Sequence, residues 1–208
     1  EPGTWTVQYR AGIGPPKSGE LAAGAVAALL VPTLAGADAV HYGYVWKRNA
    51  DGRWEDRANW NCINPPGGPC NPAENKGYPN LAGDEAYFNA GIYTRRLSVF
   101  IGRSDIRVAK IVLDTRFGIN FSGSVFGQII LNSGLPSTPA EILTTDQAVF
   151  DQFGLTQFFV PFVNESPLLV TTGVNAQLLV HTDIGPFDHG LTVRGPGETI
   201  LGRPTTYT

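Results

Sequence analysis

Methionine is missing from all 208 residues, position 1 included. We therefore expect a processed chain, one that starts downstream of its initiator. Cysteine is almost missing as well: Cys62 and Cys70, in NCINPPGGPC, are the only two. Two thiols are too few to close a structural zinc site. An even pair around a short Pro/Gly loop, without Cys-x-x-Cys spacing, predicts a disulfide and hence an oxidising compartment; two free thiols in a reducing compartment are the alternative. Charge is scarce too, at 16% of residues with a formal net charge of −3. Lysine and arginine cluster on no segment, so the electrostatic attraction that dominates nucleic-acid binding is absent and no nucleic-acid partner is expected. There is no Gly-x-Ser-x-Gly elbow, and GIGPPKSG (residues 12–19) lacks the spacing of a phosphate-binding loop. No cofactor and no metal are expected.

What the chain has in quantity is glycine (25), proline (16) and hydrophobic residues (42%). That mixture suits many short strands joined by tight turns better than long helices with charged outer faces. The reading is all-β: an N-terminal arm over residues 1–40 and a β-rich domain over residues 41–208.

In the arm, Trp5, Val7 and Tyr9 alternate with Thr4, Thr6, Gln8 and Arg10, the period of a half-buried strand. Pro15 and Pro16 end it. Leu21 to Ala37 then carries no charge and contains Leu29, Leu30 and Val31. With Lys17 upstream and Ala37-Asp38-Ala39 downstream, it has the pattern of a secretory signal. If retained, it predicts an Ala-rich helix capped by Ser18, stopped by Pro32, and apolar on every side. Its Ala/Gly content and Pro32 argue against a membrane span. An apolar segment and a terminal strand both need partners, inside the chain or in a neighbouring copy. Trp5, Val7, Tyr9, Leu29, Leu30 and Val31 are thus the candidate assembly residues, through addition of a strand to an open sheet edge.

From Val40 onward, apolar runs such as LSVFI, IRVAKIVL, FGQIIL, QFFVPFV, LLVTT and QLLVHT recur between turn signals, about 8–12 residues apart. Sandwiches, jelly rolls and solenoids share that spacing. Tyr42, Tyr44, Trp46, Trp54 and Trp60 crowd the start of the domain. They either cap its end or, at Trp46, Trp54 and Trp60, form a platform for stacking on sugar rings. His181, Asp183, Asp188 and His189 in HTDIGPFDH read as a solvated loop or, less simply, as metal ligands. Asp51, Glu55, Asp56, Asp84 and Glu85 supply carboxylates that a polysaccharide-cleaving site would need at a defined separation.

Two stretches carry a family resemblance. WKRNADGRWEDRANW, followed by Pro79 and GDEAYF, resembles the opening of secreted bacterial proteins of the autotransporter-associated β-strand repeat type. GLTVRGPGETILGRPTTYT resembles the repeat itself: Leu191 and Val193 at the first apolar sites, Gly195 and Gly197 as paired glycines, then Ile200, Gly202, and Thr206-Tyr207-Thr208 as the end. The resemblance implies a parallel β-helix, with a β-sandwich or jelly roll as the alternative. It also implies a secreted or cell-surface bacterial protein. Taken with the arm, it leads us to expect a non-enzymatic structural or adhesive protein that forms homo-oligomers or polymers. A carbohydrate-active enzyme or a sugar-binding module is the runner-up, with carbohydrate as the further candidate partner. Independently of any family, glycines at 195 and 197 allow a narrow turn that lets Leu191, Val193 and Ile200 face one core.

Overall fold

The computed structural model describes residues 5–7, 41–63, 76–124, 126–135, 137–145, 155–181 and 189–201. These are all-β, with two short 3-10 turns at Arg57–Asn59 and Ala90–Ile92. The strands are β1 (Trp5–Val7), β2 (Gly43–Trp46), β3 (Gly52–Arg53), β4 (Trp60–Ile63), β5 (Glu85–Asn89), β6 (Leu97–Ile101), β7 (Ile106–Val108), β8 (Lys110–Asp114) and β9 (Ile119–Gly123). They continue as β10 (Ile129–Leu131), β11 (Ala140–Thr144), β12 (Leu155–Phe158), β13 (Phe162–Asn164), β14 (Leu168–Thr172), β15 (Gln177–Val180), β16 (Leu191–Arg194) and β17 (Glu198–Leu201).

Three sheets share these strands. The first runs β1-β16-β14-β11-β8-β5-β2-β4, the second β17-β15-β12-β9-β6-β3, and the third β13-β10-β7. From β5 to β13 the chain visits the first, second and third sheets in turn, three times over. Each strand pairs in parallel with its counterpart on the next pass: Glu85 opposes Lys110 and Lys110 opposes Glu141. Parallel neighbours need a long crossover, usually helical; here the strands of the other two sheets make it. Interior pairing is parallel, unlike the antiparallel sheets that build sandwiches. Antiparallel strands occur only at the two ends of the first sheet, β4 on β2 and β1 on β16, among the described residues.

The side chains follow the period of two. In β6, Leu97, Val99 and Ile101 are buried and Phe100 is exposed; in β11, Ala140, Ile142 and Thr144 turn inward. Stacking in register then sets like on like: Ala86, Ile111, Ile142 and Val170 form one interior row, and Val99, Phe121, Phe158 and Val180 another. The inward faces of all three sheets meet in one core. Down it runs an aromatic series. Trp46, Trp54 and Trp60 pack on each other and on Phe88, Phe88 meets Phe121 edge-on at 5.3 Å, and Phe121 stacks on Phe158. Fully burying one such ring contributes about 1.5–3 kcal/mol.

The paired glycines do what their spacing predicts. Gly195 has φ +102°, and a Cβ there would lie 2.1 Å from the Thr172 carbonyl oxygen; at Gly197 it would lie 2.3 Å from that of Gly173. The turn thus packs directly onto the backbone of the preceding pass. One expectation at this end is corrected. Leu191 and Val193 are half-buried against the core, but Ile200 is 40% exposed. The turn delivers β17 in a register that sets Thr199 beside Leu178 and Leu201 beside Val180, so these two residues take the inward row and Ile200 faces out.

Candidate functional site

The three tryptophans proposed as a sugar platform are core residues. Trp46 and Trp54 are 0% exposed and Trp60 is 3% exposed. Stacking on a sugar needs an open ring face, and these rings have none. Instead Trp54 Nε1 donates to the Pro79 carbonyl at 2.9 Å and Trp60 Nε1 donates to the Trp54 carbonyl at 2.7 Å. Burial around Tyr93, whose hydroxyl donates to the Trp46 carbonyl, holds its ionisation well above the usual phenol range. The aromatic cluster therefore closes the β2–β4 end of the core, the capping role rather than the binding role.

The carboxylates hold the backbone in place. Asp84 is buried and accepts from the backbone N–H groups of Tyr42, Asn80 and Leu81 at 3.2, 3.0 and 3.0 Å. Asp56 caps the first 3-10 turn through Ala58 N, and Asp51 accepts from Ser98 N and pairs with Arg95. Glu55 accepts from Gly102 N, and Glu85 accepts from the Tyr87 hydroxyl. Asp51, Glu55, Asp56 and Asp84 thus hold backbone N–H groups, a common use of a carboxylate beside a tight turn, whereas Glu85 holds a side chain of its own strand.

Cys62 lies on β4 and is disulfide-bonded; Cys70 falls outside the described residues. Trp5 and Val7 lie on β1, whose backbone pairs antiparallel with β16, Trp5 opposite Val193 and Val7 opposite Leu191. Tyr9, Leu29, Leu30 and Val31 fall outside the described residues, as do Asp183 and Asp188. His181 is described, and its ring lies on that of Phe159. Among the described residues no group of three metal-ligating side chains comes together, and no helix is long and apolar enough to cross a membrane.

The surface feature that the sequence reading missed is on the outer face of the second sheet. Phe100 and Phe159 are 37% and 43% exposed. Arg53 opposes Phe100 in register and sets its guanidinium over that ring at 5.7 Å. Phe100 opposes Ser122 on β9. Phe159, one residue past β12, donates its N–H to the Phe121 carbonyl at 2.7 Å and so lies beside Ser122. His181 then covers the far side of Phe159, with ring centroids 4.3 Å apart and planes 7° from parallel. Arg53, Phe100, Ser122, Phe159 and His181 thus form one outward column across five passes of the chain. The signal was in the sequence. QFFVPFV reads as one apolar run, but a strict period of two sends Phe158 inward and Phe159 outward.

A second polar group ties the third sheet together from outside. Arg107 Nη2 donates to Glu165 Oε1 at 2.9 Å, and Asn132 Nδ2 donates to Glu165 Oε2 at 2.6 Å. The hydrogen bond from Arg107, with that from Asn132 second, holds the Glu165 carboxyl below the usual carboxylate range. On the first sheet, Lys110 Nζ and Glu141 pair at 2.7 Å across adjacent strands.

No protein-family model, no curated protein and no solved structure matches this chain.

Proposed function

We propose that this chain is a secreted or cell-surface structural and adhesive protein, built as a parallel β-helix, that assembles with copies of itself through its N-terminal strand. The observation that carries the reading is the antiparallel seat of β1 on β16. It covers the end strand of a sheet whose interior pairing is parallel, and open sheet edges are where chains join. Residues 8–42 lead from there to β2, six strand spacings away across the first sheet, roughly 29 Å. A terminal strand on a long connection is a segment that copies can exchange at low cost, and the same register made between chains links them into an open series. The cyclic succession of parallel strands, the disulfide at Cys62 and the resemblance at both ends to autotransporter-associated repeats support the β-helix and the extracellular setting.

The test uses the register. Thr6 opposes Thr192, so the double variant Thr6→Cys, Thr192→Cys is oxidised and run without reductant. Assembly by exchange predicts covalent dimers and higher species. Oxidised monomer alone at every concentration contradicts it.

A further inference from the structure

The outward column on the second sheet has a missing ring. In that column Arg53 covers one side of Phe100 and His181 covers one side of Phe159. Among the described residues no ring or cation is seen on the other side of either ring, and both of those sides face the position between them, which belongs to Ser122, a half-buried side chain of one hydroxymethyl group. Phe100 and Phe159 are two strand spacings apart, about 9.4–9.8 Å. A flat ring in contact with both needs about 7–8 Å at ordinary carbon separations. A puckered ring with C–H bonds on both faces is thicker and matches the gap better.

The neighbouring outward column is polar where it passes this gap. Ser98, Asn120 and Gln157 oppose one another in register, two residues along from Phe100, Ser122 and Phe159 on the same strands. Gln157 and Ser98 are half-buried, so their polar groups are open to a ligand beside the rings. The first column, Arg53, Phe100, Ser122, Phe159 and His181, carries no carboxylate; the second continues through Leu179 and Ile200 on one side and on the other meets Asp51, whose carboxylate accepts from Ser98 N and pairs with Arg95. Two apolar ring faces beside hydroxyl and amide groups, with the Asp51 carboxylate already engaged by Arg95, suit a ligand whose faces are C–H and whose rim is hydroxyl.

We infer that the gap over Ser122 is a carbohydrate subsite, which takes one pyranose ring of a neutral glycan between Phe100 and Phe159. Gln157 and the serine hydroxyls hydrogen-bond its rim. This deepens the adhesive part of the function proposed above and rests on it; assembly through β1 is a separate matter.

Affinity electrophoresis of the full 208-residue chain in gels containing soluble xyloglucan, galactomannan, β-1,3-glucan or α-mannan tests it. At least one polysaccharide is expected to retard the protein. Ser122→Phe fills the gap with the protein's own ring, and Phe159→Ala removes one wall. Each is expected to weaken retardation about two- to tenfold, the scale of one lost ring contact. Phe126→Ala removes a 69% exposed ring outside the two columns and should leave retardation unchanged. Circular dichroism and thermal melts check folding; if Ser122→Phe does not fold, Phe100→Ala and Phe159→Ala carry the test. Retardation by none of the four, or undiminished retardation of folded Ser122→Phe, overturns the subsite. Binding of a flat aromatic dye with no polysaccharide retardation overturns the sugar assignment. Sedimentation of the same variants keeps the two proposals apart, because loss of glycan retention with unchanged assembly touches the subsite alone.

Discussion

Phe121 lies flat on Phe158, ring centroids 4.4 Å apart and planes 5° from parallel, although 37 residues of chain separate them. The two oppose each other in register on β9 and β12. Inward stacking of this kind leaves the next residue, Phe159, facing out.

The contrast gives a direct test of side-chain direction. Phe158→Ala is expected to cost about 3–5 kcal/mol, the range for deleting a buried aromatic. Phe159→Ala should stay within about 1 kcal/mol, since it loses one exposed stacking contact. Urea unfolding of the two variants measures both, and equal costs would mean that the alternation is misplaced here.

Trp54→Phe keeps a ring in the core but removes the indole N–H that the Pro79 carbonyl accepts. A buried acceptor left without its donor costs about 1–3 kcal/mol. The variant should lower stability by that amount while leaving polysaccharide retardation as it is, because the ring has no exposed face. Loss of retardation at full stability would restore the platform role.

Gly195→Ala combines a positive φ with a Cβ 2.1 Å from backbone. Left-handed strain alone costs about 1–2 kcal/mol, and the contact adds to it. Gly91→Ala, where nothing lies within 4 Å of the added carbon, is the control. Thermal melts should separate the two clearly.

Glu165 sets a pH dependence. Its folded pKa is lowered from 4.5, first by the Arg107 hydrogen bond, so the unfolded chain holds the proton more tightly. The stabilisation is fully present above that value and is lost as pH falls through the folded pKa. Both partners are more than a third exposed, which limits the effect to a few tenths of a kcal/mol up to about 1 kcal/mol. Melting temperature against pH should fall more steeply below 4.5 in the native chain than in Glu165→Gln, and parallel curves would remove the role.

Much of the strand inventory was legible because the period of two is written plainly in LSVFI, LLVTT and QLLV, each with apolar residues at alternate sites. The glycine turn at 195–197 was legible for the same reason: only close backbone approach calls for that pair. Two things were hidden. Which strands pair depends on connections of unequal length, since Glu85 meets Lys110 but Lys110 meets Glu141, and no fixed repeat in the sequence records that. Direction was hidden wherever both faces carry apolar residues. Ile200 and Phe159 sit in runs that read as core, and their outward placement is set by register with strands elsewhere in the chain. The density of tryptophans suits a capped core as well as a binding platform, and burial selects the capped core, the first of the two readings.

Negative-stain electron microscopy of the purified native chain beside Thr6→Pro tests the central claim most directly. Proline at position 6 removes a backbone donor from the three-residue strand β1 and disfavours its pairing with β16. Assembly through that strand predicts filaments or layers in the native sample and isolated particles in the variant. Isolated particles in both, or the same assemblies in both, would contradict it.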